Sequence, residues 1–283
     1  MKKILLPTDF SINSLNAIHY AVELFKNEAC EFYVLNVIKT SSFITDDLMT
    51  MTPSETLYKS LIDSSKKSLN KIIAKVKSKY KNNKHKFHVI VDYDNFIDAV
   101  NQQCVSKKIE LIIMATKGIT GLERILFGSN TVRVINRCLT PVLVIPSKCE
   151  FQPINNIVFT SNYLTQYSLL ELLPLLNVSR MFNSKIKIVH ISDTDALTQE
   201  QENNKAFLST YFNDVVHEFV DLKGNNILEI VTEYLSNNNI HLLTMVNKKH
   251  SFFDRLFTTH KIESFVFQIH TPILIMQNST STI

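Results

Sequence analysis

Short apolar runs alternate with stretches whose apolar residues recur every three or four positions, and the alternation continues along the chain. Residues 4–7, 32–38, 87–91, 111–115 and 142–145 form short, predominantly apolar runs. A strand buried on one face alternates with period two, whereas unbroken apolar runs suit a parallel sheet covered by helices on both faces. Between the runs, Ala17, Tyr20, Ala21, Leu24 and Phe25 mark one helical stripe. Ile97, Val100 and Cys104 mark a second, and Val132, Ile135 and Leu139 a third. The segment 54–80 predicts a long, lysine-rich helix. Strand–helix alternation of this kind gives a doubly wound α/β sandwich.

The pattern is written twice. Ile109-Glu110-Leu111-Ile112-Ile113-Met114 resembles Ile240-His241-Leu242-Leu243-Thr244-Met245. Glu123-Arg124-Ile125-Leu126 matches Asp254-Arg255-Leu256-Phe257, and Thr140-Pro141-Val142-Leu143-Val144-Ile145 matches Thr271-Pro272-Ile273-Leu274-Ile275-Met276. All three pairs share one offset of 131 residues. The starts also correspond, with Lys3-Ile4-Leu5-Leu6-Pro7-Thr8-Asp9 against Asn156-Ile157-Val158-Phe159-Thr160-Ser161-Asn162. The expected division is 1–149 and 150–283, with second-repeat strands at 157–160, 185–191, 215–220, 242–246 and 273–276. A length of 283 residues agrees, at roughly 150 residues per domain.

Open parallel sheets bind ligands beyond the carboxyl ends of their strands, where the strand order reverses. For five strands in the order 3-2-1-4-5 that point lies between strands 1 and 4. The first loop there reads Pro7-Thr8-Asp9-Phe10-Ser11. The second, from Ala115 through Lys117, Gly118, Gly121, Gly128 and Ser129 to Asn130, holds three of the four glycines in the chain. Glycine permits close backbone approach, and a helix opening at Ser129 favours anions at its N-terminus.

This pattern, Ala115-x2-Gly118-x9-Gly128-Ser129 with Pro7-Thr8-Asp9 upstream, closely resembles the ATP-binding pattern of universal stress proteins. The resemblance spans the first repeat and, more weakly, the second. It implies two five-stranded domains of the adenine-nucleotide alpha-hydrolase-like (HUP) type. It also implies a stress-response module that binds ATP or AMP, with Mg2+ as a possible companion. By position, Asp9 would hydrogen-bond the nucleoside and Val37 would line the adenine pocket. Gly118, Gly128, Ser129 and Asn130 would hold phosphates and ribose. Ala115 replaces the family's first glycine, and Lys117 stands where a histidine is common. Plainer roles are open: Asp9 and Ser129 as helix caps, Gly118 and Gly121 as turn formers, Lys117 as a solvated charge.

At the offset of 131, Gly118, Gly121, Gly128 and Ser129 become Lys249, Phe252, Thr259 and His260; in the separate match of the two starts, Asp9 becomes Asn162. The second repeat is therefore expected to hold no nucleotide. A ligand-free interaction protein, with the glycine loop a relic, is the alternative reading. Little points to an enzyme. No G-x-x-x-x-G-K-[ST] loop occurs, and only Asp9 and Glu123 are acidic near the glycines, so weak ATP hydrolysis is the most expected.

Charge and composition refine this picture. The net charge of +4 divides into 21 basic against 14 acidic residues up to 150, and 9 against 12 thereafter. The basic excess at 59–86 reads as a solvated helix face, and without aromatic platforms it predicts no nucleic-acid partner. No apolar run reaches the ~18 residues of a membrane span. The basic-then-apolar start, whose apolar run is short, reads as a buried strand rather than a leader. Cys30, Cys104, Cys138 and Cys149 lack metal spacing and suit a reduced cytoplasm. The histidines at 250, 260 and 270 read as surface residues. In the family, fifth strands commonly join subunits. Here 142–145 and 273–276 are expected to pair within one chain as a pseudo-dimer, with a homodimer as a further step.

Overall fold

The computed structural model describes residues 1–38, 55–93, 95–118, 125–126, 129–193, 196–249, 251 and 270–278. The chain divides into two compact units, Met1–Ala115 and Thr116–Ile283.

The first unit runs β1 (Lys2–Pro7), α1 (Ile12–Leu24), β2 (Cys30–Val37), α2 (Glu55–Tyr80), β3 (His85–Asp92), α3 (Phe96–Lys107) and β4 (Leu111–Ala115). Its strands lie in the order β4-β1-β2-β3 and the pairs are parallel, with Ile4 beside Phe32 and Leu111, and Phe32 beside Phe87. The unbroken apolar runs find their reason here. Ile4, Leu5 and Leu6 are inaccessible to solvent, as are Val34, Leu35, Ile112 and Ile113. α1 packs on β4, α2 on β2 and β3, and α3 on β1. α2 presents Leu69, Ile73 and Val76 to the sheet and turns its lysines outward. Each fully buried aliphatic side chain contributes about 1.5–3 kcal/mol of transfer free energy.

The second unit begins with β5 (Lys117–Gly118) and β6 (Ile125–Leu126), a short antiparallel ladder, then α4 (Ser129–Arg137) and β7 (Val142–Ile145). It continues β8 (Asn156–Thr160), α5 (Leu169–Phe182), β9 (Lys185–Ser192), α6 (Gln199–Thr210), β10 (His217–Lys223), α7 (Ile227–Asn237), β11 (Leu242–Asn247) and β12 (Ile273–Gln277). The strand order is β10-β9-β8-β11-β12-β7. The first five of these places are the 3-2-1-4-5 order in full, all parallel. β7, the last strand of the first repeat, pairs antiparallel with β12, Ile273 opposite Val144 and Ile275 opposite Val142. That ladder puts β7 in the second unit.

Three details depart from the sequence reading. Leu139 lies beyond α4 and is exposed, because the buried stripe there runs through Thr131, Val134, Ile135 and Cys138. β2 reaches back to Cys30, which is buried, and stops before Ile38. β10 begins at His217 rather than residue 215, after a turn closed by Val215 N–H on the Phe212 carbonyl. Among the described residues no helix is long and apolar enough to cross a membrane.

Candidate nucleotide site

In the first unit, Pro7, Val37 and Ala115 end β1, β2 and β4, so all three stand at the carboxyl edge of the sheet. Thr8 continues from β1 and donates its N–H to the Leu35 carbonyl at 2.8 Å. Its side chain is buried, with Oγ1 2.8 Å from Ser14 Oγ and accepting the Phe10 N–H at 3.1 Å. Phe10 carries a positive φ of 65°, a conformation unusual for a bulky residue. The hydrogen bonds on either side of it hold the loop in that state. Asp9 Oδ1 accepts the Ser11 N–H at 3.0 Å, and Ser11 Oγ, as the N-cap of α1, accepts the Ser14 N–H at 3.2 Å.

A second layer fixes this loop from below. Asn36 Nδ2 donates to the Thr8 carbonyl at 2.8 Å, and Ser65 Oγ of α2 donates to Asn36 Oδ1 at 2.8 Å. Both side chains are buried. Neither Asn36 nor Ser65 stood out in the sequence reading, although a buried amide within the apolar run 32–38 is the kind of exception that marks a structured polar contact. The result is a rigid loop presenting an exposed carboxylate. Partial burial pushes the Asp9 pKa up, but hydrogen bonds from Ser11 and Ser14 outweigh it and leave the carboxyl below its ordinary value. At neutral pH Asp9 is therefore an ionised acceptor, fit to receive hydroxyl or N–H donors from a nucleoside.

The remaining predicted residues belong to the second unit. Lys117 and Gly118 form β5, paired with Leu126 and Ile125. Ser129 and Asn130 open α4, a nine-residue helix whose N-terminus suits an anion. Gly121 and Gly128 lie outside the described residues, as do Glu123, the replacements Phe252, Thr259 and His260, and His250.

The second repeat keeps the first loop. Ser161 repeats Thr8, giving its N–H to the Val189 carbonyl at 3.0 Å, and its Oγ accepts from Tyr163 N–H at 3.2 Å. Asn162 Oδ1 accepts from Leu164 N–H at 3.1 Å, as Asp9 does from Ser11. Tyr163 is left-handed like Phe10, with φ 55°. His190 takes the place of Asn36, its Nδ1 3.1 Å from the Ser161 carbonyl. Beyond β11 the two copies part. Lys248, which corresponds to Lys117, reaches Glu171 in the first turn of α5 at 3.2 Å and the Gln166 carbonyl at 2.8 Å. The Glu171 side chain is fully buried and accepts the Ser168 N–H in a capping box. The carboxylate caps α5, the counterpart of α1 in the first repeat.

Comparison with known proteins agrees with this architecture. The profile of the Universal stress protein family matches residues 1–146, and the chain belongs to that family. A universal stress protein of Methanocaldococcus jannaschii is 33% identical over 144 residues, 51% of this chain and 81% of the relative. The crystal structure of a universal stress protein from Archaeoglobus fulgidus superposes with a TM-score of 0.68 at 17% identity, covering 97% of this chain and 98% of that one. A universal stress protein solved in complex with cAMP is 15% identical, with a TM-score of 0.34 over 50% of this chain and 94% of that one.

Proposed function

We propose that the first repeat, residues 1–149, binds an adenine nucleotide, ATP or AMP, and acts as a regulatory module in a stress response. On this reading residues 150–283 are a degenerate copy that holds none. The observation that carries it is the ionised Asp9 carboxylate, held by Thr8, Ser11, Asn36 and Ser65 at the carboxyl edge of a family-typical sheet. In sequence, this is also the repeat that keeps Gly118, Gly121 and Gly128. On this reading Asp9 and Val37 take the nucleoside. Among the described residues no group of three or more His, Cys, Asp or Glu is arranged to hold a metal ion. A reduced cytoplasmic setting belongs to the same reading, since Cys30, Cys104, Cys138 and Cys149 are scattered in sequence without CxxC spacing.

Calorimetric titration with ATP, ADP and AMP tests it. Binding by the intact protein, lost in Asp9→Ala, is the expected result. Nucleotide at a hundred times its Kd adds about 2.7 kcal/mol of stability. No heat at millimolar nucleotide removes the proposal and leaves the second reading, a ligand-free interaction protein. One observation favours that alternative: Asn162 makes the Asp9 turn in a repeat that lacks the glycines, so the turn forms without them.

A further inference from the structure

An aromatic pair stands at the carboxyl edge of the first unit, beside the strand end that carries Val37. Val37 pairs with Asp92, the last residue of β3. The Ile38 N–H donates to the Asp92 carbonyl at 2.8 Å and ties the two strand ends together. Tyr93 comes next, and its N–H donates to Asp92 Oδ1 at 2.8 Å. Its ring meets that of Tyr58 on α2, with centroids 6.0 Å apart and planes tilted by 53°. Tyr93 nevertheless stays 54% exposed, so much of its ring surface is open to a further planar group.

α2 sets the height of this pair. Ser65 of α2 reaches Asn36, the residue before Val37. Tyr58 lies seven residues earlier, two turns along the same helix face. It is therefore roughly 10 Å nearer the N-terminus of α2, which in a parallel crossover lies at the carboxyl edge of the sheet. Tyr58 and Tyr93 thus stand past the strand ends, as the Asp9 loop does. From β1 to β3 is two strand spacings, about 10 Å, with the end of β2 between. The second repeat lacks this feature. Leu35 accepts the Thr8 N–H and pairs with Ile90, as Val189 accepts the Ser161 N–H and pairs with Val220. Three residues on, Tyr93 in the first repeat corresponds to Lys223 in the second.

We propose that Tyr93, backed by Tyr58, is the stacking wall for the purine base of the nucleotide, which lies over the end of β2 between Asp9 and Tyr93. The inference rests on the reading of the first repeat as an adenine-nucleotide site and assigns its base-selecting residue. The Asp9 carboxylate accepts hydroxyl or N–H donors but offers no surface to a ring. A tyrosine face does, and a purine overlaps it more than a pyrimidine does. The wall belongs to the repeat that keeps Asp9 and is absent from the one that carries Asn162.

Calorimetric titration of the wild-type chain, Asp9→Ala, Tyr93→Ala and Tyr93→Phe with ATP and with CTP tests the proposal. Tyr93→Ala should bind ATP roughly 5- to 150-fold more weakly, the range that loss of one base–aromatic stack gives. Tyr93→Phe keeps the ring face and should bind as the wild type does. The wild-type preference for ATP over CTP should shrink in Tyr93→Ala, whereas a purely structural role would weaken both nucleotides alike. Wild-type affinity for ATP in Tyr93→Ala, with binding lost in Asp9→Ala, overturns the stacking wall and leaves the nucleotide site standing. An equal loss toward ATP and CTP overturns the wall as well. A wild-type chain that binds neither nucleotide overturns both the wall and the site.

Discussion

Asp9 and Asn162 perform the same local task, accepting a backbone N–H two residues ahead in front of a left-handed aromatic residue. The turn therefore needs an acceptor oxygen, not a charge. Asp9→Asn is expected to change folding stability by less than about 0.5 kcal/mol in urea titration, yet to weaken nucleotide binding, separating the two roles of the residue. Histidines supply a pH dependence. Desolvation lowers the pKa of His241, whose neutral Nδ1 accepts the Asn156 N–H at 3.3 Å. Burial also lowers His19, aided by nearby Lys79 and opposed by Glu23. The unfolded chain thus binds protons more readily than the folded one. Stability contributed by these neutral histidines is present above about pH 6.5 and falls as the pH drops through that value, measurable as a falling urea midpoint. Asp9 was legible in the sequence through its place after an apolar run. Asn36 was not, because one amide inside a strand does not announce the carbonyl it reaches 28 residues earlier.

Among the elements, α5 concentrates both a weakness and a strength. Pro174 lies within the helix and removes the N–H that would reach the Leu170 carbonyl. Pro174→Ala is expected to stabilise the protein by about 1–3 kcal/mol, read from the denaturation midpoint. The Glu171–Lys248 pair acts in the opposite sense. Lys248→Ala strands a fully buried carboxylate and is expected to cost about 3–5 kcal/mol, whereas Glu171→Gln keeps the capping-box acceptor and costs less. At this scale the apolar runs located the described parallel strands of both repeats but not the short β5–β6 ladder, since continuous burial on two faces leaves a plain mark. Helix ends were harder. The α4 stripe turned on Cys138 rather than Leu139, where the helix had already ended and the chain direction had changed.

For the whole molecule, the constant offset of 131 residues made the fold readable, because it carried β4 onto β11 and β7 onto β12 without a gap. The Lys248 contact was not readable in sequence, because its partner Glu171 lies on a helix 77 residues earlier. The β7–β12 ladder has a testable cost. A chain ending at residue 149 leaves β7 without β12 and should self-associate through that bare edge, which light scattering would detect against the monodisperse behaviour of single-edge variants such as Leu143→Pro.

That ladder also joins two strands linked by covalent chain, so its formation obeys first-order rather than second-order kinetics. Dilution cannot separate the strands, and the pairing holds equally in a cell with few copies and in one with many. A response built on the first repeat would then follow the level of its ligand and not the abundance of the protein, a useful property when stress changes how much of every protein is made.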